Sequence, residues 1–163
     1  LERERERADA LAERVSQLEG DQSMARLIQT EEALRRSEEK FRRLFETVPD
    51  ALYLIDQETG RILDANPAAV RMYGYGSEEW LGLHQSDVAA GPEDLPAIDE
   101  HPPRNALRYH RRKDGAVFPV EMSMGYFAQN GKLLIIVTCR DISRRLEAEQ
   151  KLDSVLEAAG SDC

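Results

Sequence analysis

Cysteine is almost missing from the chain. Its two copies, Cys139 in an apolar run and Cys163 at the end, have neither metal-ligand spacing nor a disulfide framework, so a cytoplasmic setting is expected. No apolar run approaches the roughly 18 residues that cross a bilayer, and Leu1-Glu2-Arg3-Glu4 is unlike a signal peptide, so no membrane contact is expected within this segment. An excess of positive charge is missing too. With 22 Lys and Arg against 31 Asp and Glu, the net charge is -9, and the arginines alternate with glutamates, which argues against nucleic acid as a partner. No Ser/His/Asp order, phosphate-cradling glycine loop or paired carboxylate cluster is present, so no catalytic residues are expected. The chain opens on Leu1 rather than Met and is expected to be a piece of a longer protein. What is there, 41% hydrophobic and 33% charged residues, suffices for one core of about 100 residues plus extended helix.

Heptad spacing organises residues 1–47. Leu1, Ala8 and Val15 recur every seven residues, Leu11, Leu18 and Ala25 take the complementary position, and Glu and Arg fill most places between. A second seam, Leu27, Leu34, Phe41 and Val48 with Met24 and Phe45, keeps the seven-residue step but is out of phase. Between the seams, Gly20-Asp21-Gln22-Ser23 supplies a helix-weakening glycine and two candidate caps, so a break or local distortion is expected there. Phe41, Phe45 and Val48 are expected to pack on the domain that follows. Leu1 to Leu18 have no intramolecular partner. The simplest arrangement is a parallel homodimer with Leu1, Ala8, Leu11, Val15, Leu18, Leu27, Leu34 and Phe41 as its seam.

Pro49 biases Val48 out of the helical region and ends this arm. Residues 48–142 then read as one α+β domain. Ala51–Asp56 forms a buried strand, Gln57-Glu58-Thr59-Gly60 a turn and Arg61–Ala65 the returning strand. Asn66 caps a helix that has Pro67 at its first position and stops at Gly74. Ser77-Glu78-Glu79-Trp80 opens a second short helix, closed by Gly82, and Pro92-Glu93-Asp94 a third, which Pro102-Pro103 must end. Three strands follow. The first, from Leu107, runs into Asp114-Gly115, a two-residue hairpin signal; the next carries Phe118, Val120, Met122 and Met124 on one face; and Asn130-Gly131 leads into the apolar Leu133–Cys139. The total is a five-stranded antiparallel sheet with several short helices. Ser143 then begins a helix of strong formers over residues 143–163, whose Leu152, Val155, Leu156 and Ala159 can start another coiled coil.

Residues from about 38 to 152 carry a run of short motifs. In order they are Ser37–Glu46, Asn66-Pro67-Ala68, Tyr73-Gly74-Tyr75 with Glu78-Glu79-Trp80-Leu81-Gly82, Arg112-Lys113-Asp114-Gly115, and Arg140-Asp141-Ile142-Ser143. Each is weak alone, but their collinearity resembles the PAS domain family. The resemblance implies a sheet in the order 2-1-5-4-3 with short helices over one face around a pocket. It also implies that Asp141, Ile142 and Ser143 form the family's Asp-Ile-Thr type signal junction, with Ser143 keeping the hydroxyl, through which the last strand passes into an output helix.

Tyr53, Ile55, Met72, Tyr75, Trp80, Leu83, Val120, Met122, Ile136 and Thr138 are candidate lining for a small-molecule pocket; their other reading is plain core filling. Light-sensing, flavin-binding members of the family need a reactive cysteine before Gly91-Pro92-Glu93, and residues 82–90 contain none, which excludes cysteinyl-flavin chemistry. Haem-binding members take an axial histidine from the last short helix. His101 stands near that place and is the haem candidate, against a partly exposed histidine with no ligand role. His84 and His110 fit less well, His110 lying in a strand beside Arg111 and Arg112. The expected function is a dimeric sensory module that signals through its helical arms to a downstream output domain, of histidine kinase or diguanylate cyclase type. A ligand-free dimerisation and spacer module competes with it, and a haem-based sensor is the third reading.

Overall fold

The structure, a computed structural model, describes residues 1–96 and 101–161. Helix α1 runs unbroken from Glu2 to Thr47, so of the break or local distortion expected at Gly20 to Ser23 the break is absent. One glycine costs about 1 kcal/mol in a helix interior, and the surrounding Glu19, Gln22, Met24 and Ala25 are helix formers. The phase change therefore becomes a rotation of the apolar stripe around one continuous helix. Residues Leu1–Leu44 form a unit of their own, along which Leu11, Val15, Leu18, Leu27, Leu34 and Phe41 are exposed. No helix among the described residues is long and apolar enough to cross a membrane.

The second unit, Phe45–Cys163, holds the sheet. Strands β1 (Ala51–Asp56), β2 (Ile62–Ala65), β3 (Ala106–Arg111), β4 (Val117–Gln129) and β5 (Lys132–Asp141) pair antiparallel in the order β2-β1-β5-β4-β3. The β4–β5 turn has Asn130 and Gly131 at φ of 52° and 75°, the left-handed pair that a tight two-residue hairpin demands. The β3–β4 turn differs from the two-residue expectation. Arg112 N–H donates to the Ala116 carbonyl and Gly115 N–H to the Arg112 carbonyl, leaving Lys113, Asp114 and Gly115 as a three-residue loop with Gly115 at φ 91°. That one extra residue sets the register, pairing His110 with Phe118, Arg108 with Val120 and Ala106 with Met122.

Among the described residues, three short α-helices and a 3-10 turn cover one face of the sheet. Helix α2 (Pro67–Tyr73) is capped as expected by Asn66, and ends at Gly74, left-handed at φ 84°. Fully buried Asn66 also fixes the start of β1. Its Oδ1 accepts from the amides of both Leu52 and Ala69, and its Nδ2 donates to the Asp50 carbonyl. Helix α3 (Ser77–Trp80) delivers Trp80 to the interior. Helix α4 (Gln85–Val88) was not foreseen; it is capped by His84, a residue type outside the usual capping set. The expected third helix is only a 3-10 turn, Pro92–Asp94, because Leu95, which precedes Pro96, is extended. Whatever was expected between it and the prolines includes residues 97–100, outside the described residues. Helix α5 (Ser143–Ser161) follows β5 after Ile142.

Alternation along the strands fills the space between sheet and helices. Tyr53 and Ile55 of β1, Phe118, Val120, Met122 and Met124 of β4, and Ile135, Val137 and Cys139 of β5 bury together with Ala69, Tyr73, Trp80 and Val88.

Candidate functional site

Aromatic rings occupy the centre of this core. Tyr73 meets Trp80 edge-on at 5.2 Å between centroids, Phe118 at 5.4 Å and Tyr53 at 6.3 Å, while Tyr53 and Trp80 lie 5.5 Å apart. Such pairs are each worth about 1 kcal/mol beyond the area they bury. Of the expected pocket residues, Tyr53, Ile55, Trp80, Val120 and Met122 belong to this cluster, and Met72, Tyr75 and Leu83 pack against it half-buried. Ile136 and Thr138 do not join them. They alternate with the inward Ile135, Val137 and Cys139, so they face the other side of the sheet and line a shallow groove there with Arg104, Asn105, Ser123 and Gly125.

The interior histidine is His110, only 1% exposed. Its Nδ1 lies 2.6 Å from the Tyr73 hydroxyl and 4.0 Å from Cys139 Sγ, which in turn is 3.8 Å from the Tyr53 hydroxyl. Burial pushes the His110 pKa down to about 4 against the opposing pull of Asp94, and pushes the Cys139 thiol up to about 11. Both groups are thus neutral near pH 7, and burial raises both tyrosines well above their usual range. His110 Nε2 and Trp80 Nε1 are buried without a hydrogen-bond partner among the described residues. His101 is exposed at a bend before Pro102 and does not fit an axial haem ligand, which must reach the interior. His84 is tied to its own helix: its Nδ1 accepts from the Ser86 amide, and its ring lies so close to Gly60 that a Cβ there would come within 2.3 Å.

On β3, Leu107 and Tyr109 are roughly half exposed, and His110 between Tyr109 and Arg111 points to the interior. A signal for the true phase did exist. Phe118, Val120 and Met122 read as inward from the sequence, and residues paired across a hairpin share a face, so a three-residue loop places His110 inside. Assuming two residues in the loop puts it outside.

A second polar constellation lies where β5 passes into α5. Asp141 Oδ1 accepts from the Ser143 amide at 2.9 Å and from its hydroxyl at 2.5 Å, while Asp141 Oδ2 accepts from Arg112 Nη2 at 2.8 Å. Ser143 therefore donates its hydroxyl to Asp141 instead of capping the helix by accepting an amide. Burial raises the Asp141 carboxyl, but the Ser143 hydroxyl, Arg112 and the Ser143 amide together outweigh it and hold the group below its usual range. Ile142 is buried, and its amide donates to the Pro119 carbonyl of β4. The remaining nitrogen of the Arg112 fork, Nη1, donates to the Met72 carbonyl near the end of α2, and the guanidinium carbon lies 3.8 Å from the centre of the Phe118 ring.

Comparison with known proteins agrees with this geometry. Residues 49–144 match the sequence profile of a family described as PAS domain. The chain is 31% identical over 140 residues to the methyl sulfide methyltransferase-associated sensor of Methanosarcina acetivorans, a match covering 80% of this chain and 14% of that protein. It is 28% identical over 128 residues to the diguanylate cyclase DgcM of Escherichia coli K12, covering 73% of this chain and 31% of that protein. The chain thus spans a minor part of the length of both relatives. Among solved structures, the PAS domain of an HTR-like protein from Haloarcula marismortui superposes with a TM-score of 0.59 at 23% identity, covering 70% of this chain and 98% of that one.

Burying His110 neutral has a thermodynamic signature. Its pKa falls from 6.5 when unfolded to about 4 when folded, so as pH drops through that interval the unfolded chain takes up a proton that the folded one refuses. Stability contributed by the neutral ring is complete above the unfolded value and shrinks toward the folded one. Urea denaturation is expected to show this group costing about 2 kcal/mol on going from about pH 7 to about pH 5. His110→Gln should flatten that portion of the curve; an unchanged slope contradicts the assignment.

Proposed function

Because the chain belongs to the PAS domain family, we propose that it is a sensory and regulatory module, cytoplasmic, which pairs with a second copy through α1 and hands a change of state to an output domain through α5. The observation that carries the reading is the Asp141 junction, where one carboxylate binds both the first residue of α5 and an arginine anchored on α2 and the core ring Phe118. A shift of α2 or β4 is felt at the first turn of α5 because Ile142 and Asp141 are both tied to them. The chain also enters the sheet beside the place where it leaves. Ala51 pairs with Cys139, and Arg140 reaches Asp50 with both Nε and Nη2.

On this reading residues 1–47 are the dimerising arm, 48–142 the sensory domain and 143–163 the start of the output helix. The arm supports a parallel homodimer because its heptad residues, among them Leu11 at 61% and Leu18 at 60%, are exposed in a single chain. The output domain is of histidine kinase or diguanylate cyclase type, the latter being the activity named for the Escherichia coli relative. Catalysis is assigned to that output domain and not to this module. The ring-packed interior favours a second reading, a ligand-free dimerisation and spacer module, in which the pocket candidates serve only as core. Mass spectrometry and an absorption spectrum of the purified protein separate the two: a molecule recovered with the folded chain removes the spacer reading.

Two further experiments test the relay. Leu11→Lys with Leu18→Lys should shift the sedimenting mass from dimer toward monomer while the domain stays folded, and an undiminished dimer contradicts the role of α1. In the protein carrying its output domain, one residue inserted after Ser143 turns the helix by about 100°. Output should change by roughly tenfold, which needs only about 1.4 kcal/mol between two states. Unaltered output favours the spacer.

A further inference from the structure

Tyr73 and Met72 are neighbours in the last turn of α2, and each is held by a different part of the domain. Inside, the Tyr73 hydroxyl bonds His110 Nδ1 at 2.6 Å. Outside, the Met72 carbonyl accepts from Arg112, whose other terminal nitrogen holds Asp141. The turn between them is stiff. Gly74 closes it with an amide bond to the Val70 carbonyl, and the Tyr73 carbonyl accepts from the Lys113 amide at 2.9 Å. Phe118 completes the circuit, touching both the Tyr73 ring and the Arg112 guanidinium.

We infer that the Tyr73–His110 pair positions the Arg112 clamp, so that the last turn of α2 carries a change in the domain interior to the first turn of α5. Tyr73 and His110 act through Arg112 and are positioning residues. The inference rests on the reading of α5 as the output helix. Nε2 of His110 is the open end of the pair, buried and without a partner among the described residues. A neutral imidazole has one N–H, so a group that hydrogen-bonds to Nε2 selects the tautomer and thereby decides which partner donates in the Tyr73 bond.

The test is amide hydrogen exchange on the full chain. Two amides are compared: Leu146, which donates to the Ile142 carbonyl in the first turn of α5, and Gly60, which donates to the Asp56 carbonyl at the far edge of the sheet. Tyr73→Phe deletes one hydroxyl and should accelerate Leu146 about five-fold relative to Gly60, the loss of one ordinary hydrogen bond. In an Arg112→Lys background, where a single ammonium replaces the two-pronged fork, the same substitution should add nothing. Equal acceleration of both amides, or full additivity, overturns the coupling. Asp141→Asn separates the inference from the reading beneath it. A fast Leu146 in Asp141→Asn beside an unmoved one in Tyr73→Phe overturns the coupling alone, and an unmoved Leu146 in both overturns the junction reading with it. Should Tyr73→Phe fail to fold, reciprocity supplies the measurement: Arg112→Lys must shift the ring nitrogen resonances of His110, and unshifted resonances overturn the inference.

Discussion

The guanidinium carbon of Arg112 sits 3.8 Å from the centre of the Phe118 ring, and the group divides its terminal nitrogens between a helix carbonyl and the Asp141 carboxylate. Both charged side chains are only about 30% exposed, at 28% and 30%. The pair is less screened than Lys113 with Glu79 or Arg140 with Asp50, whose cations are well exposed. Solvent screens surface pairs of that kind, whereas a shielded, charge-assisted bond contributes more. Only a planar fork can serve two acceptors in different directions while stacking on a ring, so lysine is no substitute at this position. Helix α2, strand β4 and the β5–α5 junction meet at this side chain.

The sheet makes that meeting possible. β5 lies between β1 and β4, so the strand that leads into α5 is paired along both edges, to Ala51–Asp56 and to residues 120–129. β4 contributes both the Pro119 carbonyl that binds the Ile142 amide and the Phe118 ring that supports Arg112. Behind it, Tyr53, Tyr73, Trp80 and Phe118 fill the interior with flat groups of few rotamers, a packing that moves in steps more readily than it deforms smoothly. A buried histidine, bonded through Nδ1 to the Tyr73 hydroxyl, lies at the edge of these rings.

Much of this was legible in the residues themselves. Asn66-Pro67 and Gly74 bracketed α2, Asn130-Gly131 set the β4–β5 turn, and the alternation of Phe118, Val120 and Met122 gave the inward face of β4. The collinear motifs supplied the strand order and pointed to Asp141 and Ser143. What escaped were features decided by a single residue of register or by tertiary context. A three-residue loop at Lys113, Asp114 and Gly115 turns His110 inward, whereas His101, the haem candidate from its place near the last short helix, is exposed. Alternation in β5 put Ile136 and Thr138 on the wrong side of the sheet for the pocket. The proline after Leu95 cut the 3-10 turn short, helix α4 took an uncommon histidine cap, and continuous helix overrode the glycine at position 20. Arg112 stood in one of those motifs, but nothing in the sequence paired it with its partners, which lie 40 residues before it and 29 after.

The central claim is that Arg112 and Asp141 act as one unit upon α5. A double-mutant cycle of Arg112→Gln and Asp141→Asn, read as the protection of the Leu146 amide against exchange, measures that coupling directly. The account predicts a coupling energy of about 1–2 kcal/mol, with either single change loosening the helix start nearly as much as both together. Independent, additive effects would show that the two side chains merely lie side by side, and would contradict it.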